Sequence, residues 1–228
     1  MLLSGQHART AATLQGRQAL SLCRPSACRF LASSWTKCRE RKFRRRFMLR
    51  AAPRAYFAFW VGEAKVIVLV REFRRDDAAE VNRIAVAAWD QYRTTFTDWP
   101  RTGPRFAATA NLAHKLNLLI AQDDTTILGF VGYIAPGRPR ERAFRRDWAT
   151  IRMLSVDPIA RGHGVGRLLT ENCIARAKRD GASVIALHTS SVMEVALALY
   201  IRLGFTYLRD IVDRHGVHYA IYMLSLSS

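Results

Sequence analysis

Apolar residues recur along residues 66–228 with two periods, and the changes of period mark the elements. Residues 66–71 (VIVLVR) are β-branched and apolar, which predicts a strand. Asp76 and Asp77 then open a stretch with apolar residues at Val81, Ile84, Ala85 and Ala88, the spacing of a helix over 78–89 with acids in its first turn. Pro100, Gly103 and Pro104 predict a loop, and 106–116 a second helix. Residues 118–121 and 127–134 predict a strand pair joined through Asp123 and Asp124. A strand follows at 150–156 (TIRMLSV), then a glycine-rich turn at 161–167 (RGHGVGR) and a helix over 165–180. Val165, Leu168, Leu169, Cys173, Ile174 and Ala177 make one stripe on that helix, so Cys173 reads as packing, and Gly181 ends it. Residues 183–188 predict a strand, 192–203 a helix capped by Ser190 or Ser191 and ended by Gly204, and 205–212 with 217–226 a closing hairpin across 214–216. This is one α/β domain over 66–228, with a mixed central sheet of six to seven strands and about four helices.

Length changes little in that picture. A body of this size buries roughly 68–70% of its unfolded surface and needs no metal or disulfide staple. Charge changes more. Lys plus Arg is 36 against 18 for Asp plus Glu, a net +18 over 228 residues. Residues 1–54 hold 13 basic residues and one acid, Glu40, so two thirds of the excess lies in the first quarter of the chain. Three readings of this segment stand open: a mitochondrial-type transit peptide, a nucleic-acid-binding arm centred on 39–46, or upstream sequence preceding a true start at Met48 or later. It has no core-forming pattern, which predicts disorder. Few aromatics interleave its basic residues, and the rest of the chain carries only +6, so nucleic acid ranks last among the partners.

Cys23, Cys28 and Cys38 lie in the basic segment without histidines at finger spacing, so no zinc site is predicted. Cys173 alone in the body fits a reducing compartment: the cytoplasm, or the mitochondrial matrix on the transit-peptide reading. The longest apolar stretch, 55–70, is interrupted by Glu63 and Lys65, so no membrane span is predicted. The basic loop 136–147 carries five arginines and reads as a solvated connection or as a rim attracting an anion. The closing hairpin could pair between chains in a homodimer.

The turn carries the chemistry. Gly162, Gly164 and Gly166 let backbone approach a ligand closely, and the helix that follows offers unpaired N–H groups and the positive end of its dipole. That is an anion site suited to a phosphate or pyrophosphate, with Arg161 and Arg167 adding charge. A P-loop would need Gly-Lys-Ser/Thr, where Arg167 and Leu168 follow Gly166. A dinucleotide fold would need G-x-G-x-x-G and an acid ending the next strand, where His188 stands. The third pattern, R/Q-x-x-G-x-G/A, is matched by Arg161, Gly164 and Gly166.

With that pattern the sequence resembles the GNAT-type N-acetyltransferases, which use acetyl-CoA. Residues 196–205 (ALALYIRLGF) are similar to a second family signature, A-x-x-L-Y-x-x-x-G-F. The resemblance covers about 66–226. It implies a GNAT-like domain in which the two strands flanking the glycine helix splay and admit the pantetheine arm of acetyl-CoA. It implies backbone contacts from Leu154, Ser155 and Val156 to that arm, and pyrophosphate contacts from Arg161, Gly162, His163, Gly164, Val165, Gly166 and Arg167. It places Tyr200 beside the thioester sulfur.

The expected activity is transfer of the acetyl group to a primary amine of a small molecule or protein, without a metal. A tyrosine of pKa about 10 can protonate a departing thiolate of pKa about 8.5, whereas an alkylammonium acceptor near 10.4 must first lose a proton. His188, at the end of the strand beside the groove, is one candidate base, and His163 reads as a solvent-facing side chain with some phosphate contact. The family often places an acid on the strand matching 150–156. Here Arg152 stands in its middle, which points to water-mediated deprotonation or to an acidic acceptor paired with Arg152. Trp89, Tyr92, Phe96, Asp98 and Trp99 either line the acceptor site or pack a helix onto the sheet. The competing reading is a catalytically inactive, CoA-binding regulatory module.

Overall fold

The computed structural model describes residues 56–61, 64–124 and 126–226. The basic extension 1–54, with its three readings and its predicted disorder, lies outside them. Eight strands form one sheet: β1 (Tyr56–Val61), β2 (Ala64–Glu72), β3 (Asn117–Asp123), β4 (Thr126–Ile134), β5 (Ala149–Val156), β6 (Val184–Thr189), β7 (Thr206–Arg214) and β8 (Val217–Ser225). Their spatial order is β1-β2-β3-β4-β5-β6-β8-β7, and only β5 and β6 run parallel. Seven are the strands the pattern predicts. The eighth, β1, precedes them and pairs antiparallel with β2 from Tyr56↔Leu69 to Val61↔Ala64. The described part of the apolar stretch, residues 56–61 and 64–70, is thus divided between two strands.

Four α-helices occur among the described residues: α1 (Ala78–Trp89), α2 (Trp99–Phe106), α3 (Val165–Arg179) and α4 (Glu194–Arg202). The second corrects the sequence reading, which puts a loop at 100–104 and a helix at 106–116. Pro100 stands in the first turn, where its missing N–H is an orphan donor in any case, so it opens the helix. Residues 109–112 form only a 3₁₀ turn, held by Thr109 Oγ1 donating to the Phe106 carbonyl (2.8 Å) and Ala110 N–H donating to Asn82 Oδ1 (2.8 Å).

The alternation of strand side chains divides the core between the two faces of the sheet. Ile151, Ile185 and Leu187 pack with Leu169 and Cys173 of α3 and Tyr200 of α4 on one face. Leu118, Ile120 and Phe130 pack with Val81, Ile84 and Ala85 of α1 on the other. Tyr200, Gly204 and Phe205 together close α4: Phe205 N–H reaches the Tyr200 carbonyl (3.0 Å), and Gly204 takes a left-handed φ of 89°.

Two irregularities position the site. The parallel pair has register only at Ala149↔Ile185 and Thr150↔Ala186, after which β5 and β6 part. β5 is also bulged: Phe130 opposes Ser155 and Gly132 opposes Arg152, leaving Met153 and Leu154 across from Val131 alone. Met153 takes a left-handed φ of 56°, costly for a side chain of its kind and a mark of local function. Trp89 Nε1 donates to Ser155 Oγ (3.2 Å), tying the end of α1 to the strand just past the bulge.

Candidate active site

A cavity of about 970 Å³ opens where β5 and β6 part, and it reaches both faces of the sheet. On the α3–α4 face it is lined by Leu154, Val156, the glycine turn, Leu199 and Tyr200. Gly162 (φ 81°) and Gly164 (φ 83°) adopt left-handed backbone that side chains disfavour, and Gly164 is the N-cap of α3. No side chain caps the helix, and its first intrahelical bond there is Leu168 N–H to the Gly164 carbonyl (3.0 Å). The amides of Val165, Gly166 and Arg167 therefore lack intrahelical acceptors beside the cavity, where the helix dipole adds positive character.

Of the predicted cofactor residues, Leu154, Val156, Arg161, Gly162, Gly164, Val165, Gly166 and Arg167 line this cavity. Ser155 and His163 are not among the lining residues. Ser155 is buried on the opposite face, where strand alternation puts it under Trp89. Arg161 lines the cavity while its guanidinium donates to the Ala88 carbonyl (3.2 Å) at the C-terminal end of α1, and Arg167 pairs with Glu171 (2.7 Å).

Tyr200 is 5% exposed, and no hydrogen bond from its hydroxyl is found among the described residues. Burial pushes its pKa up, so the phenol stays protonated across the neutral range.

The α1–α2 face of the cavity has another character. Glu141, from the arginine-rich loop, is held by Arg152 Nη1 at 2.5 Å and by Arg214 Nη2 at 3.0 Å. Arg152, whose place on the strand pointed to water-mediated deprotonation or to an acidic acceptor, is thus paired within the chain by a loop carboxylate. Burial would raise the Glu141 carboxyl, but Arg152 and the bond from Arg214 outweigh it and hold the carboxyl below its usual range. None of the loop's five arginines lines the cavity.

His188 also lines the cavity, with its side chain 13% exposed between Phe144 (stacked, 5.9 Å) and Tyr219 (edge-on, 5.5 Å). Its Nδ1 is buried without a hydrogen-bond partner, 3.7 Å from Glu141 Oε2. Burial, then Arg152 and Arg214, push its pKa down to about 3, against a smaller opposing pull from Glu141. Burial thus keeps the His188 ring neutral and weakens it as a base toward an alkylammonium.

Of the aromatic cluster, Trp89 and Tyr92 line the cavity, while Phe96 and Trp99 pack behind them. Asp98 does not face the cavity; it accepts from His215 Nδ1 at 2.9 Å. His215 itself does line it, from the tip of the β7–β8 hairpin, and no reading of the sequence singled it out. A histidine in a hairpin turn reads as a solvated turn residue, and its partner lies 117 residues away.

The fold defines an α/β architecture with a mixed sheet whose parallel strands splay around a cavity at an uncapped helix N-terminus. The family model described as the acetyltransferase (GNAT) family matches residues 81–205. The chain belongs to that family. It is 29% identical over 114 residues to human N-acetyltransferase 8B, covering 46% of this chain and 49% of that protein. It is 30% identical over 165 residues to a mycothiol acetyltransferase of a Nocardioides strain, covering 65% and 52%. The chain thus spans about half the length of these curated relatives. Among solved structures, yncA of Salmonella typhimurium, solved with its cofactor acetyl-CoA, has the same fold: TM-score 0.55 at 19% identity, covering 70% of this chain and 94% of that one. No group of residues able to hold a metal ion occurs among the described residues, and no helix there is long and apolar enough to cross a membrane.

Proposed function

We propose that the protein transfers the acetyl group of acetyl-CoA to a primary amine, with Tyr200 as the acid that protonates the leaving sulfur. The observation that carries this reading is the single cavity through the sheet, with uncapped helix amides at one end and a buried, protonated tyrosine beside the gap. The cradle suits the cofactor: a Cβ at Gly162 would meet nothing within 4 Å, the first α3 amides are free of intrahelical acceptors, and β5 and β6 cease to pair after Thr150↔Ala186. Acetyl-CoA would supply an activated acyl carbon.

The chain's own groups would do the rest. The amides of α3 and its dipole hold the anion, and apolar Leu154, Val156 and Leu199 exclude water from the gap. Tyr200 donates its proton to sulfur as the C–S bond breaks. Burial raises phenol and thiolate together, so their relative acidities survive in the pocket. Trp89 and Tyr92 would flank the incoming amine.

The test is calorimetric titration of acetyl-CoA into the protein, followed by thiol release with a panel of primary alkylamines, amino acids and short peptides. Saturable one-to-one binding with turnover on one acceptor class supports the proposal. Binding without turnover on any amine favours a CoA-binding regulatory module, for which the weak bases Glu141 and His188 argue. No binding removes the cofactor premise.

A further inference from the structure

The proposed transfer needs a base, and the titratable groups on the acceptor side do not serve equally. Glu141 is held by two guanidinium groups, His188 is pushed down to about 3, and burial keeps Tyr92 and Tyr219 protonated, the latter pushed up to about 12. His215 is different in kind. Its Nδ1 faces the Asp98 carboxylate (2.9 and 3.0 Å) and Thr102 Oγ1 (3.1 Å). Its ring stacks on Phe96 at 5.2 Å.

Its backbone is fixed as well. His215 takes a left-handed φ of 58°, its carbonyl accepts from Thr97 N–H (3.0 Å), and Gly216 lies so close to Thr97 that an added Cβ would stand 2.5 Å from that side chain. Positive φ at both His215 and Gly216 (75°) is what a two-residue hairpin turn between Arg214 and Val217 requires, so the turn and the Thr97 contact together fix the His215 backbone. The carboxylate on Nδ1 selects the tautomer whose proton is there, leaving the Nε2 lone pair available.

We propose that His215, oriented by Asp98, is the general base that takes the proton from the acceptor ammonium; this rests on the acetyl-transfer reading. Nε2 takes one proton, and the freed amine pair forms the C–N bond as the C–S bond breaks with its pair to sulfur. Tyr200 protonates the sulfur, and the second amine proton returns to the Tyr200 oxygen. His215 then releases its proton to solvent, so one proton is produced per turnover. His215 is a catalytic residue in this scheme, and Asp98 a positioning residue. The charged and titratable groups that act on or face the ring are Asp98 on the α1–α2 connection and His188 on β6; Arg214 precedes it in the hairpin, and Tyr92 and Tyr219 line the same cavity.

The test uses His215→Asn and Asp98→Asn in the full chain. Asparagine tolerates left-handed backbone and keeps a donor toward Asp98, so the hairpin is preserved. Each variant is assayed with the best alkylamine from the panel and with aniline, an amine already neutral at assay pH, while calorimetry follows acetyl-CoA binding. The expected result for His215→Asn is unchanged acetyl-CoA affinity and a fall in kcat of about 100-fold or more with the alkylamine. The alkylamine rate should then climb with pH into the alkaline range, where free amine accumulates, and aniline turnover should change little. Asp98→Asn should lower kcat with KM unchanged and shift the pH profile.

Equal losses on both acceptors would mark His215 as structural and overturn the proposal. Unchanged kcat on both would place the base elsewhere while leaving acetyl transfer standing. A wild-type protein that binds acetyl-CoA but acetylates no amine would overturn this proposal together with the reading beneath it.

Discussion

The two faces of the cavity are built by different rules. On the α3–α4 face the anion cradle comes from backbone: amides, a dipole, and glycines at 162 and 164, all within a dozen residues. On the α1–α2 face the chemistry comes from side chains that six separate stretches bring together: Trp89 and Tyr92, Asp98 and Thr102, Glu141, Arg152, His188, and Arg214 with His215. A backbone cradle serves any acceptor that shares one cofactor. A side-chain assembly can be rebuilt for a new acceptor without disturbing it.

The largest expected effect breaks the backbone side. Gly164→Val forces a β-branched residue into a left-handed φ of 83°, costing about 1–3 kcal/mol, and crowds the first amides of α3. Calorimetry should show acetyl-CoA binding lost. Gly166→Ala is the control: its nearest neighbours, Leu199 and Val156, would lie at an ordinary 3.6 Å, so the melting temperature should hold and any loss of affinity belongs to the ligand.

Next comes Tyr200→Phe. The hydroxyl has no partner among the described residues, so stability should be kept while kcat falls about 100-fold or more in thiol-release assays. An unchanged rate would end its role as acid.

The third prediction concerns acid. His188 ordinarily titrates at 6.5 and is pushed down to about 3, so below 6.5 the unfolded chain binds a proton that the fold refuses. Stability is complete above pH 6.5 and falls as pH drops toward 3. Glu141, also depressed, adds a loss in the same direction below its ordinary 4.5. Melting temperatures followed from pH 7 to 4 should show this decline, and His188→Gln should flatten its upper part.

The smallest effect is Ser155→Ala. It strands the Trp89 indole N–H and should cost about 1–2 kcal/mol by denaturant unfolding, with acetyl-CoA affinity nearly unchanged.

The same contrast explains what could be read from the sequence. The period of 165–177, the three glycines and Tyr200 four residues before Gly204 are local signals, and all lie where their spacing puts them. The sheet's seven main strands were legible for the same reason. The acceptor face was not. Glu141 sits among five arginines and reads as one more solvated charge, and nothing in its spacing announces Arg152 or Arg214. Asp98 and His215 meet only because a hairpin folds back onto the α1–α2 connection. Pro100 misled because a proline signals a break unless its place in the first turn is known.

The parallel pair has one more consequence. Two plates of sheet, β1–β5 and β6–β8, are sewn together at only two residue pairs, and past that seam nothing in the ladder holds them. At the free corner the hairpin tip acts as a clasp, through Thr97 on the His215 carbonyl and Arg214 on Glu141. His215, proposed as the base, thus sits in the fastener of the two plates, which ties the width of the slot to the hairpin at its far end.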